Sequence, residues 1–286
     1  MRRSMPAVVA LLLGGSLFVG SAAQTVALGA RKDSLKFAVI GDNGTGSREQ
    51  YELARRMDEA RATFPFELVL MMGDNLYGSQ SPKDFVVKFE RPYEALVKAG
   101  VRFYAALGNH DNPSAQQSYP PFNMKGARYY TYTAKDVRFV VADTNYFDPA
   151  QIVWLENTLR DAREPWKIVY FHHPLYSDGD RHGSHVELRV RIEPLLVKYG
   201  VDVVMSGHDH IYERIKPQKG ITYFVIGSSG QLRKGGISPS ELTAAGFAGD
   251  QAFTLMEIAG RELAFQAISR TGNIVDSGII FSRRTS

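Results

Sequence analysis

The sequence predicts an α/β fold around a parallel or mixed sheet, and three observations carry that reading. Short apolar runs of strand length recur down the chain, segments with helical spacing alternate with them, and the runs end in turns bearing polar side chains. The fullest example is Glu67-Leu68-Val69-Leu70 followed by Met71-Met72-Gly73-Asp74-Asn75-Leu76-Tyr77. It reads as a buried strand that delivers a carboxylate and a phenol at its C-terminal end, the end where open α/β sheets gather ligands.

With 286 residues, 44% of them hydrophobic and 22% charged, the chain has ample material for a large core. No linker, repeat or low-complexity tract divides it. The expected organisation is an export signal over 1–23, a polar lead-in over 24–35 and one domain over 36–282. Arg2 and Arg3, the apolar stretch from Pro6 to Gly20, and Ser21-Ala22-Ala23 before Gln24 make the signal. It implies a periplasmic or secreted protein without stable membrane association after cleavage, by either the general or the twin-arginine route. The 34 basic and 30 acidic residues leave +4, spread too thinly for a nucleic-acid partner. There is no cysteine, so any metal must be held by oxygen and imidazole.

Taken in order, Phe37-Ala38-Val39-Ile40 is a strand that delivers Asp42, and Arg48 to Ala62 is a helix with Ser47 and Gln50 as a capping box. After the strand that delivers Asp74 and Tyr77, Asp84 to Lys98 reads as one helical stretch closed by Gly100. Val101 to Leu107 delivers Gly108-Asn109-His110-Asp111, and Asn112 to Arg128, with three prolines, reads as a long loop beside the site. Tyr129 to Tyr132 pairs with Val137 to Val141. Asp148, Pro149 and Gln151 open a helix with the stripe Ile152, Leu155, Leu159 and Ala162. Lys167 to Phe171 delivers His172 and His173, Val186 to Lys198 is helical, and Val201 to Met205 delivers Gly207-His208-Asp209-His210. From Ile221 onward the chain reads as mostly β, with strands at Tyr223 to Ile226, Ala252 to Ile258, Glu262 to Ile268 and Ile274 to Phe281.

Five strands thus each end in a metal-competent group: Asp42, Asp74 with Tyr77, Asn109, His172, and His208 with His210. Any one of them alone is ordinary turn or core chemistry. Parallel topology would bring all five ends to one edge, where seven such groups need a cation to offset their desolvation. They overfill one ion that keeps a substrate position open. They suit two ions sharing a carboxylate, the arrangement that clamps an in-line phosphoryl displacement.

In these blocks the chain resembles the calcineurin-like metallophosphoesterases, and within them the purple acid phosphatases of the tartrate-resistant type. The blocks are Gly41-Asp42-Asn43-Gly44, Gly73-Asp74-Asn75-Leu76-Tyr77, Gly108-Asn109-His110-Asp111, Val169-Tyr170-Phe171-His172 and Gly207-His208-Asp209-His210. The resemblance implies a four-layer αββα sandwich, two mixed sheets flanked by helices. Most of the wider superfamily carries a histidine two residues after the first aspartate; here Gly44 stands there and Tyr77 is present instead, as in the purple enzymes. Carried over by position, the resemblance implies Fe(III) bound by Asp42, Asp74, Tyr77 and His210. It implies a divalent ion, Fe(II), Zn or Mn, bound by Asp74, Asn109, His172 and His208, with Asp74 bridging. Hard anionic oxygens suit the trivalent ion, and an amide with imidazoles suits the divalent one.

The resemblance further implies that His110 contacts the phosphate and aids the leaving group, and that a residue of the following loop protonates it. His182 is the first choice for that residue, with His185 or Arg181 as alternatives; His173 is expected to be structural or to support a ligand. The implied activity is an exported acid phosphatase that hydrolyses small phosphomonoesters by attack of a metal-bound hydroxide. Rival readings are a phosphodiesterase or nucleotidase on the same core, a non-catalytic phosphate or metal sensor, and an iron-based redox role.

Overall fold

The computed structural model describes residues 26–29 and 31–283, and the export signal expected over 1–23 lies outside them. The first half contains β1 (Leu35–Ile40), α1 (Arg48–Arg61), β2 (Leu68–Met71), α2 (Pro82–Phe85), a π-helical turn (Val86–Glu90), α3 (Glu94–Lys98), β3 (Arg102–Ala105), α4 (Pro113–Gln116), a 3-10 turn (Pro120–Phe122), β4 (Tyr130–Ala134) and β5 (Val137–Val141). The second half contains α5 (Pro149–Asp161), β6 (Trp166–Tyr170), α6 (Val186–Lys198), β7 (Val203–Ser206), β8 (Tyr212–Gln218), β9 (Ile221–Ile226), β10 (Thr243–Phe247), β11 (Ala252–Ala259), β12 (Glu262–Ser269) and β13 (Ile274–Phe281).

The strands form a six-stranded sheet, β13-β12-β11-β1-β2-β3, and a seven-stranded sheet, β10-β8-β9-β7-β6-β5-β4. Parallel pairing joins β1, β2 and β3 at one edge of the first sheet, with antiparallel strands on the far side of β1, and joins β5, β6, β7 and β9 in the middle of the second, which antiparallel strands flank on both sides. Alternation along β1 shows how the layers arise. Phe37 and Val39 enter the core between the sheets with Phe139, Ile168, Met205 and Phe224, while Ala38 and Ile40 enter an outer core with Leu53, Ala54 and Met57 of α1. On the other outer face, Leu155 and Leu159 of α5 and Ile192 and Leu196 of α6 cover Val140, Val169 and Val204. The result is the αββα sandwich expected from the resemblance.

Several local expectations need correction. The five strand ends do not share one sheet edge: β1, β2 and β3 belong to one sheet, β6 and β7 to the other. Strand periodicity records which face is buried, not which sheet the strand joins. The helical stretch over 84–98 is broken, because Arg91 N–H reaches back to the Val86 carbonyl and Pro92 has no N–H to continue the ladder. The segment over 112–128 holds α4, capped by Asn112, and the 3-10 turn, both begun at prolines. Ser47 and Asp148 cap α1 and α5 as expected, but their glutamines do not close boxes. Gln50 accepts from Gly46 N–H, and Gln151 bonds both main-chain groups of Asp143.

β8 and β10 escaped the reading. Glu213, Arg214 and Lys216 make β8 look like a loop, yet Glu213 is buried, accepting from Asp178 N–H and Thr243 Oγ1, and Arg214 pairs with Asp276. The lead-in is tied down as well: Gly29 N–H and Ser34 Oγ both donate to the Glu257 carboxylate of β11. Among the described residues no helix is long and apolar enough to cross a membrane.

Candidate metal centre

The ends of β1, β2, β3, β6 and β7 meet where the two sheets abut, joined across by main-chain bonds from Ser229 N to Gly41 O at 3.1 Å and from Gln231 N to Asp42 O at 2.9 Å, both donors lying just past β9. Asp42, Asp74 and His208 hold left-handed backbone at φ 52°, 51° and 70°, a region that Asp and His enter more readily than most non-glycine residues. Two glycines permit the approach. A Cβ on Gly207 would lie 2.3 Å from Asp42 Oδ2, and one on Gly44 would lie 1.7 Å from the Asn75 carbonyl oxygen. The second contact explains a pairing seen in the sequence: the turn that presents Tyr77 occupies the space a side chain at position 44 would need.

All seven predicted groups are brought together. Tyr77 Oη lies 3.1 Å from Asp42 Oδ1 and 3.2 Å from His210 Nε2, and His210 Nε2 lies 3.4 Å from Asp42 Oδ1. Donor atoms of Asp42, Asp74 and His210 all fall within 4.8 Å of one another, a spacing able to hold an ion. Beside this group, His172 Nε2 lies 3.0 Å from Asn109 Oδ1, 3.2 Å from His208 Nδ1 and 3.5 Å from Asp74 Oδ1. Asp74 is common to both groups.

The donor set fits cations. His172 Nδ1 sits 2.9 Å from the Met72 carbonyl, which fixes its proton there and leaves a lone pair on Nε2. That lone pair faces the amide oxygen of Asn109, the carboxylate of Asp74 and the ring nitrogen of His208, so atoms able to bind a cation converge there. Burial, and then the charge of Asp74, push the Asp42 carboxyl well above its usual range, although His172 opposes this. Burial and both carboxylates push the Tyr77 phenol far up. Burial and the neighbouring His172 hold His208 well below the usual imidazole range. A cation among these groups reverses the penalties on the anions and uses the neutral imidazoles as they stand.

The chain's seven histidines all gather here. His110 lies on the exposed side, its ring 4.9 Å from that of Tyr77 and its N–H donated to Asp74 Oδ1 at 2.9 Å. His182 lies against His208, with ring centroids 4.0 Å apart and planes tilted by 37°. His185 is placed differently: its Nδ1 accepts from Leu188 N–H as the N-cap of α6. His173 bonds Thr144 Oγ1 at 2.8 Å, and burial, with His172 beside it, holds it at about 3.

Two carboxylates without an assigned role prove to be braces. Asp111 accepts from Gly108 N–H, Leu76 N–H, Asn75 Nδ2 and Gln116 Nε2, tying the turn of Asn109 and His110 to that of Asp74 and Tyr77. Burial, then Asp74, raise it to about 7. Asp209 accepts from Ser177 Oγ, His182 N–H and Gly183 N–H, fastening the His182 loop to the β7 turn. The only signal for either was an aspartate directly after a candidate histidine.

A family model described as calcineurin-like phosphoesterase matches residues 35–212. A tartrate-resistant acid phosphatase type 5 from Oryctolagus cuniculus is 28% identical over 241 residues, spanning 68% of this chain and 73% of that protein. Among solved structures, Plasmodium GAP50, described as the anchor in the inner membrane complex, aligns with a TM-score of 0.78 at 21% identity over 89% of this chain and 91% of that one. Purple acid phosphatase PPD1 from yellow lupin (Lupinus luteus) seeds aligns with a TM-score of 0.71 at 19% identity, over 88% of this chain and 54% of that one. The two structural likenesses speak for the fold.

Proposed function

This chain belongs to the calcineurin-like phosphoesterase family and is a metal-dependent phosphoric ester hydrolase; from that premise we propose that it is an exported acid phosphatase acting on small phosphomonoesters through two metal ions. The observation that carries the two-metal reading is the lone-pair convergence around His172 Nε2, adjoining a second group built from Asp42, Tyr77 and His210. In this reading Asp42, Tyr77 and His210 hold a ferric ion, Asn109, His172 and His208 hold a divalent ion, Fe(II), Zn or Mn, and Asp74 serves both. When bound, the ions supply Lewis-acid charge to the phosphoryl oxygens and acidify the attacking water.

The remaining work falls to side chains. His110 lies beside Tyr77 and faces solvent, where it can hydrogen-bond a phosphoryl oxygen of the incoming ester. His182, lying against His208 and tethered through Asp209, is the residue assigned here to give a proton to the leaving oxygen; His185 is committed to capping α6. Met72, through its carbonyl, orients His172.

The test is metal analysis of purified protein alongside hydrolysis of phenyl phosphate and of bis-phenyl phosphate. Two ions per chain with the monoester preferred supports the reading. One ion or none, or a preference for the diester, contradicts it. Intact mass of native protein tests export: a chain beginning near Gln24 is expected, and a soluble cytoplasmic pool that keeps Met1 speaks against it.

A further inference from the structure

One polar cluster outside the metal centre holds more acceptors than protons. Glu213 of β8 is fully buried, Asp178 lies in the segment between β6 and α6, and Thr243 opens β10, an edge strand of its sheet. Thr243 Oγ1 lies 2.6 Å from Glu213 Oε1 and 2.7 Å from Asp178 Oδ2. Both are full hydrogen-bond distances, yet a hydroxyl has one proton to give. With both acids ionised, Thr243 would have to donate to each, and one contact would set lone pair against lone pair in a buried place. A second proton therefore sits on one of the carboxyls.

The surroundings decide which one. Asp178 Oδ2 also accepts from Ser240 N–H at 2.8 Å, and the residue is partly open to solvent, which suits a carboxylate. Glu213 has a single main-chain donor, Asp178 N–H, 2.9 Å from its Oε2, and no water. No positive charge faces it. β9 pairs Val225 with it and β10 pairs Gly246. The β6–α6 segment brings Asp178 and Ser177, and the Ser177 hydroxyl gives its proton to Asp209 of the β7 turn. Its neighbours on β8, Tyr212 and Arg214, are both bonded to Asp276. Burial pushes Glu213 above the ordinary glutamate range, against the hydrogen bonds from Thr243 and Asp178 N–H. For Asp178 burial acts the same way, but the bonds from Ser240 and Thr243 overcome it and hold that carboxyl below its ordinary range.

We propose that Glu213 is a carboxylic acid that donates to Thr243, which donates in turn to the Asp178 carboxylate, and that this chain is a pH-sensitive latch, closed while Glu213 keeps its proton and opened when it loses it. The latch fastens the segment that runs on from Asp178 to His182. Ser238 N–H donates to the Asp178 carbonyl at 3.0 Å, so the same residue also ties the stretch leading into β10. The register of β10 against β8 shifts just after Thr243, which leaves that edge dependent on the side-chain bonds there. Loss of the proton sets two carboxylates on one hydroxyl, and their repulsion frees the segment. The latch uses neither metal nor substrate, so it stands or falls apart from the phosphatase reading.

The experiment compares metal-loaded wild type with Glu213→Gln, which has the shape of the protonated acid and keeps a donor for Thr243, and with Thr243→Val, which removes the relay. Urea unfolding is followed from about pH 4 to about pH 8. An acid that keeps its proton better in the fold stabilises most below the ordinary glutamate range, and that contribution is lost as the pH rises to its own ionisation. The ratio of unfolding constants, wild type over Glu213→Gln, should therefore climb about 10-fold per pH unit above that range and level off where Glu213 ionises. Over the same range the amide protons of Asp178 and Ser240 should lose protection against exchange in wild type and keep it in Glu213→Gln. In Thr243→Val their protection should be low throughout. A ratio that is flat or falls with pH would show Glu213 ionised in the fold and overturn the acid. A rising ratio with amide protection independent of pH would overturn the latch. Should Glu213→Gln not fold, exchange in wild type against Thr243→Val decides: equal protection in the two at low pH contradicts the proposal.

Discussion

The two sheets contribute unlike chemistry to one centre. The ends of β1, β2 and β3 bring oxygen: Asp42, Asp74, Tyr77 and Asn109. The ends of β6 and β7 bring nitrogen: His172, His208 and His210. Neither half makes a binding site alone. Buried carboxylates without the facing imidazoles lack enough donors, and the imidazoles without the carboxylates lack charge to hold a trivalent ion. The site is a property of the sheet junction, and Phe37 packs edge-on against Phe139 in the core that joins the two sheets.

That comparison is most sharply broken at the residue shared by both donor groups. Asp74→Ala is expected to empty both positions and reduce hydrolysis to background, whereas His208→Ala should release the divalent ion alone; elemental analysis of the two variants checks this. A next-largest effect is expected from His110→Ala, whose ring lies against Tyr77 but supplies neither donor group. Turnover should fall on the order of 10²–10⁴-fold with both ions retained, the usual worth of one acid–base group. Loss of an ion would move His110 into the metal's coordination.

The braces come next. Gln116→Leu removes a donor to Asp111 and should loosen both turns that Asp111 ties, lowering retention of both ions by about 10–100-fold, as for other supports of metal ligands. Chelator competition followed ion by ion measures it, and unchanged retention of both ions would refute the brace. Smallest is His185→Asn. Asparagine is a good N-cap, so stability should change by less than about 1 kcal/mol and turnover hardly at all. A large fall in hydrolysis of alkyl esters would instead make His185 the leaving-group acid.

Much of this was legible in the sequence because each donor ends an apolar run, and runs such as Val69-Leu70 or Val203-Val204 are too apolar to lie anywhere but in a core. Their division between two sheets was not legible, since β2 and β6 carry the same pattern; only the family resemblance supplied it. β8 was hidden because Glu213 is satisfied by groups far away in sequence, Asp178 and Thr243. The braces were hidden for the same reason, as Asp111 and Asp209 act through main-chain partners that no motif displays. Gly44 stands out in the sequence as a departure from the wider superfamily, but its steric link to the Tyr77 turn is a contact with Asn75 that only the fold creates.

The central claim is that the oxygen side holds a ferric ion through Tyr77, and one measurement addresses it directly: the visible spectrum of protein loaded with Fe(III) and a divalent ion, wild type beside Tyr77→Phe. A phenolate bound to Fe(III) gives a charge-transfer band, so the wild type should be purple or pink. The variant should lose the band and hold iron less tightly, with some hydrolysis surviving on Asp42, Asp74 and His210. A wild type that is colourless yet fully active, with a variant that behaves identically, would contradict the ferric assignment.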